Sequence, residues 1–210
     1  MKHIILLFVL LSSAHADWRE LDSSDFTVGA APIAGSATDK KDFKKLHEYQ
    51  DSDREADCKI AKTQEFMTPA SMFGPATKQL SKKEFAAVEL LLNDVKKLVS
   101  DITEDFKVKY QRPRPFNIDT DLQPCVKKPG GAKAYPSSHA SVGMAGGLVL
   151  AKIFPDKADA LEEQGLKVGE LRVIAGVHHP SDVVAGQDLA RQIVDEISKD
   201  KDFKAEIKAI

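Results

Sequence analysis

His178 and Asp182 stand four residues apart in the stretch RVIAGVHHPSD, which runs from Arg172 to Asp182. If helical geometry holds across Pro180, the two side chains share one face, and the carboxylate accepts a hydrogen bond from one imidazole nitrogen. That bond fixes the tautomer and leaves the other nitrogen free to attack an electrophile. Arg172 precedes them on the incoming helix and can reach the same point. A second stretch is Tyr135-Pro136-Ser137-Ser138-His139. Ser137 after a proline is a natural helix N-cap, so the N–H groups of Ser138 and His139 point out of a helix N-terminus, where free donors and the positive end of the dipole favour an anion. The third stretch, KVKYQRPRP from Lys107 to Pro115, sets basic groups around two rigid prolines. The planar fork of Arg114 suits a phosphate bidentately and Lys107 acts as a point charge, whereas Lys109 and Arg112 are expected to be solvated. The chain has six histidines, and His139, His178 and His179 all fall within these stretches. Two imidazoles, an orienting carboxylate and several cations are the parts needed to bind and transfer an oxyanion.

These parts need a scaffold. With 210 residues and 42% hydrophobic content, the chain can bury one core, and a net charge of −2 gives no basis for non-specific nucleic-acid binding. At the N-terminus Lys2 precedes an apolar run from Ile4 to Leu11 and the small-x-small triplet Ala14-His15-Ala16. This is the pattern of a secretory leader cleaved near Ala16, because the run is too short for the roughly 20 residues of a membrane span. No later stretch is long enough to span either, so a periplasmic or secreted protein without a membrane span is expected. In an oxidising compartment Cys58 and Cys125 are expected to pair as a disulfide, which constrains the unfolded chain by about 4 kcal/mol.

Residues 17–40 read as an extended N-terminal arm and residues 41–210 as a single helical domain. Ser81-Lys82-Lys83-Glu84 reads as a capping box, followed by Val88, Leu91, Leu92, Val95, Leu98, Val99 and Ile102 at three- and four-residue steps. That predicts a helix over Lys82 to Glu104. The prolines at 113 and 115 keep Arg112 to Pro115 out of a helix interior, and loop is expected from Asn117 to Ala134 with a turn at Pro129-Gly130-Gly131. Further helices are expected from Ser137 to Phe154, from Asp156 to Val177 and from Pro180 to Ser198. Gly143, Gly146 and Gly147 on the first of these allow close approach of a neighbour, within or between subunits, so a homo-oligomer is compatible with the sequence. No strand-like alternation is present. The fold class is all-α, a single-domain helical bundle.

The order K-x6-R-P, P-S-x-H, R-x5-H-x3-D resembles the type-2 phosphatidic acid phosphatase and vanadium haloperoxidase superfamily. The local text KYQRPRPF, AYPSSHASVGMAGGLVLA and RVIAGVHHPSDVVAG is most similar to the bacterial class A non-specific acid phosphatases, and the likeness covers roughly Cys58 to Val194. The resemblance implies His178 as nucleophile, Asp182 as its orienting partner and His139 as general acid. It implies Lys107, Arg114, Arg172, Ser137 and the backbone of Ser138 as the phosphate cradle. It also implies phosphate monoesters as substrates and a phosphohistidine intermediate, with no cofactor and no metal. Two positions depart from the pattern: Ser138 stands where the family usually has glycine, and Leu171 where it usually has serine. Two other readings use the same residues. A vanadium-dependent haloperoxidase would hold vanadate on His178, and a periplasmic oxyanion-binding protein would need the cradle but not His139 or Asp182. A metal site on His178, His179 and Asp182 is disfavoured by the nearby arginines and by the expectation that the two adjacent imidazoles diverge.

Overall fold

The structure, a computed structural model, describes residues 17–77, 81–130 and 133–210, without the side chains at 75–77, 82 and 84. The expected leader, residues 1–16, the Glu84 side chain on which the proposed capping box rests and Gly131 of the proposed turn all lie outside what is described. The fold is all-α, with no strand among the described residues. The helices are α1 (Ala37–Gln50), α2 (Glu55–Thr63), α3 (Pro69–Thr77), α4 (Lys82–Tyr110), α5 (Pro115–Ile118), α6 (Ser138–Ile153), α7 (Ala158–Ile174), α8 (Pro180–Ile197) and α9 (Lys201–Lys208).

Central to the bundle is α6, packed against α4, α7 and α8. Its small residues let the neighbours close in. A Cβ on Gly147 would lie 2.6 Å from the Leu161 carbonyl of α7, and one on Gly165 of α7 would lie 2.7 Å from the Gly143 carbonyl. The glycine face of α6 therefore packs within the chain, with Gly143 and Gly147 against α7 and Gly146 against Phe73 of α3. The stripe on α4 runs on from Ile102 to buried Phe106, so this helix extends to Tyr110 rather than stopping near Glu104. It ends where Gln111 takes a left-handed backbone (φ 45°) and its N–H caps the Lys107 carbonyl at 2.9 Å. Likewise α7 stops at Ile174, because Gly176 adopts φ 76°, and the chain leaves the helix just ahead of His178.

Helix begins at Ala37, capped by Ser36, inside the stretch read as an arm. Ahead of it, residues 17–36 form two 3-10 turns and a strap. Trp18 is buried edge-on against Phe203 of α9 at 5.3 Å, and Arg19 pairs with Asp94 of α4 and Glu206 of α9. The Tyr110 hydroxyl donates to the Val28 carbonyl at 2.5 Å. The Cys58–Cys125 disulfide is formed and joins α2 to the loop after α5.

Candidate active site

Because consecutive core helices alternate in direction, the C-terminal ends of α4 and α7 and the N-terminal ends of α6 and α8 meet at one pole. The cavity there has a volume of about 550 Å³. Lys107 from the last turns of α4, Arg114 before α5, Ser138 and His139 from the first turn of α6, Arg172 from the last turn of α7 and His178 before α8 all line it. The three distant stretches converge. Glu65, Met67, Glu104 and the lysines at 127, 128 and 133 form the outer part of the same cavity.

His178 is held at both ring nitrogens. Its Nδ1 lies 3.2 Å from Asp182 Oδ2, and its Nε2 lies 2.8 Å from Arg114 NH1. A guanidinium only donates, so Nε2 is the acceptor and Nδ1 carries the proton given to Asp182. The imidazole is thus in the tautomer whose Nε2 lone pair accepts from Arg114, with both residues on the cavity wall. The contact with Asp182 is not made across one helical face, because α8 starts at Pro180 and His178 lies outside it. Instead Asp182, in the first turn, reaches back. Its Oδ2 also accepts from the His179 N–H at 2.8 Å and lies 3.0 Å from His179 Nδ1. The adjacent imidazoles therefore do not diverge as expected; both Nδ1 atoms meet one carboxylate oxygen.

The cations are unusual in what they lack. Lys107, Arg114 and Arg172 are all buried, yet none is ion-paired with a carboxylate among the described residues. Their polar contacts go to carbonyls: Lys107 Nζ to Lys133 at 2.8 Å, Arg114 NH1 to Val177 at 2.9 Å and Arg172 NH2 to Ala61 at 2.6 Å. Arg114 Nε and Arg172 Nε are buried with no acceptor. The N–H groups of Ser138 and His139 likewise have no protein acceptor among the described residues. A buried charge without an ion-paired partner is costly, and three such cations lie around this one cavity.

The same surroundings set the protonation states. Burial, with Arg114 beside it, pushes Lys107 down to about 7. Burial and the Arg172 charge push His139 down to about 3, and burial with Arg114 lowers His178. Burial alone brings Arg172 down to about 10. Burial by itself would raise Asp182, but hydrogen bonds from His178 and His179 outweigh it and keep the carboxylate well below its usual range. A dianionic ligand in the cavity works in the opposite direction on every cation and imidazole there.

Not every residue expected in the site belongs to the cavity. Ser137 is fully buried and does not line it; its Oγ caps the Ala140 N–H at 3.4 Å and its N–H donates to the Asp182 carbonyl at 2.9 Å, so it joins α6 to α8. Close contact at that joint needs Gly186, where a Cβ would lie 2.6 Å from the Ser137 carbonyl. Ser138 has ordinary helical backbone at the start of α6, so a side chain there costs the N–H nothing. Leu171 is buried in an apolar cluster with Ala140 and Val183, a place for a methyl rather than a hydroxyl. His139 Nε2 lies 3.2 Å from the Gln64 carbonyl and is half-buried.

Arg112 is the clear correction. Rather than solvated, it is 5% exposed and bonded to Asp182 Oδ1 and Ser181 Oγ, both at 2.7 Å, and to Asp39 and Asp42 of α1 at 3.2 and 3.0 Å. A signal for it was present. The prolines at 113 and 115 keep this segment extended, and residues i and i+2 of an extended chain share one face about 6–7 Å apart. The two arginines are therefore placed together, one at each end of the Asp182–His178 pair.

With this geometry in view, the comparisons agree. Residues 90–194, half of the 210-residue chain, match the PAP2 superfamily, and the chain belongs to it. Over 135 residues it is 31% identical to a protein of Providencia stuartii named non-specific acid phosphatase, covering 61% of this chain and 53% of that one. It is 31% identical over 131 residues to an acid phosphatase of Zymomonas mobilis, covering 59% and 49%. A non-specific acid phosphatase of Salmonella typhimurium is 37% identical over 91 residues, 40% of this chain and 35% of that one. The chain spans about half the length of the first two relatives.

Proposed function

We propose that the protein is an acid phosphatase of the class A non-specific kind, hydrolysing phosphate monoesters through a phosphohistidine without a metal. The observation that carries this reading is the set of three buried cations without carboxylate partners around two imidazoles. Lys107, Arg114, Arg172 and the N–H groups of Ser138 and His139 hold the phosphoryl oxygens. Neutral His178 attacks phosphorus through Nε2, forming the N–P bond as the ester P–O bond breaks, and Asp182 takes up the growing charge on the ring through Nδ1–H. His139 donates its proton to the departing alkoxide. It then takes a proton from the water that cleaves the N–P bond, releasing inorganic phosphate and restoring His178. Burial and the surrounding cations hold His139 low, so the negative charge of the bound substrate must raise it for this role. Because the site neutralises phosphate charge with three side chains, it has no need of a divalent ion.

The disulfide and the apolar leader together support action in an oxidising compartment outside the cytoplasm. No described helix is long and apolar enough to cross a membrane.

The test is turnover of p-nitrophenyl phosphate at acid pH, with and without EDTA, in wild type and His178→Ala. Wild type is expected to retain activity in the chelator and to yield an acid-labile, base-stable phosphoprotein on rapid quench. His178→Ala should give neither turnover nor label. Activity lost to EDTA and restored by zinc refutes metal independence. Binding of phosphate without hydrolysis favours an oxyanion-binding protein, and halide oxidation with vanadate and peroxide favours a haloperoxidase.

A further inference from the structure

We infer that Arg112 is a positioning residue of the reaction, clamped by Asp39 and Asp42 of α1 so that its guanidinium fixes one oxygen of Asp182 and aims the other at His178. The inference rests on the reading of His178 as nucleophile.

Asp182 is fully buried, and its two oxygens have separate tasks. Oδ2 faces His178 Nδ1, the His179 backbone N–H and His179 Nδ1, while Oδ1 accepts from Arg112 at 2.7 Å. A carboxylate held on one edge by a planar, rigid donor cannot turn about its Cβ–Cγ bond without giving up a charge-assisted hydrogen bond. The direction of Oδ2, and with it the ring plane of His178, is therefore tied to Arg112. The other guanidinium nitrogen reaches α1. There Asp39, Asp42 and Phe43 occupy positions i, i+3 and i+4 of one face, and all three contact this region. Phe43 packs edge-on to His179 at 5.4 Å, and Asp42 Oδ1 accepts the Ser181 N–H at 3.1 Å. This helix lies outside residues 90–194, the part matched to the superfamily, so a segment beyond the shared motifs braces the catalytic carboxylate.

The charged and titratable groups around His178 are Lys107 of α4, Arg114 before α5, His139 of α6, Arg172 of α7 and Asp182 of α8; His179, Arg112, Asp39 and Asp42 act on it through Asp182. Removing the Arg112 charge leaves Asp182 less compensated, which favours the His178 imidazolium and moves the acid limb of the kcat/KM profile to higher pH. Removing an α1 carboxylate leaves Arg112 less compensated and moves that limb to lower pH. A residue that only staples α1 to α8 would shift these limbs by its charge alone but would leave the limiting kcat of a folded variant at the wild-type level.

The experiment measures kcat, KM and vanadate inhibition from pH 3.5 to 8 on p-nitrophenyl phosphate for full-length wild type, Arg112→Gln and Asp39→Asn, with folding followed by circular dichroism and phosphohistidine by rapid quench. For Arg112→Gln we expect kcat to fall about 10- to 100-fold, the scale of one charge-assisted contact, with KM and vanadate inhibition changed less than about threefold. Its acid limb should rise by about half a pH unit, and that of Asp39→Asn should fall. Should Arg112→Gln fail to fold, the limiting kcat of Asp39→Asn decides: a fall with KM and vanadate inhibition kept supports the role, and a wild-type kcat overturns it. Folded variants with wild-type kcat overturn the role of Arg112 alone. A wild type that forms no phosphohistidine overturns the reading of His178 and this inference with it.

Discussion

Arg112 and Arg114 are two residues apart, both buried, and opposite in their company. Arg112 meets Asp39, Asp42 and Asp182. Burial pushes its guanidinium down, but Asp182 and Asp42 outweigh that and hold it above its ordinary value. Arg114 meets one carbonyl, that of Val177, and a histidine, and burial lowers it. The first is compensated, and its charge is spent on architecture. The second has no ion-paired carboxylate among the described residues and lines the cavity. Burial alone therefore does not separate a structural arginine from a substrate-binding one; the presence or absence of counter-carboxylates does.

The sharpest way to break this contrast is to remove the groups it surrounds. His178→Ala should lower kcat by at least about 10³-fold, as for loss of a nucleophile, with the fold intact by circular dichroism. Next comes the contrast itself. Arg112→Met leaves three buried carboxylates short of a partner and is expected to cost about 3–5 kcal/mol in urea unfolding. Arg114→Met removes an unpaired buried charge and should leave stability equal or higher, while cutting kcat/KM about 10²- to 10³-fold. Equal destabilisation by the two substitutions would erase the distinction.

The dependence of stability on pH sharpens the comparison further. His139 and His178 have folded values below the ordinary imidazole value, so below about 6.5 the unfolded chain binds protons that the folded one refuses. Stability should rise with pH across the window from about 3 to 6.5, by up to about 1.4 kcal/mol per pH unit for each imidazole, and saturating phosphate should flatten the slope. Thermal melts in matched buffers with and without phosphate check it. The smallest effect is expected at the position that departs from the family pattern. Ser138→Gly should change kcat/KM less than about threefold, because the cradle uses a backbone N–H there and the φ is already that of a helix.

Much of the site was legible because its residues carry their chemistry in type and spacing. Lys107, Arg114, His139, Arg172 and His178 all line the cavity, as the three stretches suggested. Cys58 and Cys125 pair, and α6 and α8 begin where Ser137 and Pro180 announce them. Ser137 was harder to place. A serine at an N-cap can turn its oxygen to a ligand or to its own helix, and only the closeness of α8 at Gly186 shows that this one is sealed inside. Arg112 was harder still, since its partners Asp39 and Asp42 are some 70 positions away in sequence. The end of α4 was missed for a plainer reason: Phe106 prolongs the apolar stripe past a run of charged residues that reads as a boundary.

By itself the sequence determined which cations and imidazoles line one cavity, where helices start against proline and serine, and that a helical bundle must present them. Those properties are local, fixed by side-chain chemistry and by backbone restrictions a few residues long. Only the tertiary structure decided which cations keep their charge for a ligand and which are neutralised. Counter-charges come from elements remote in the chain, and in a low-dielectric interior a carboxylate a few ångströms nearer or farther changes what an arginine is for.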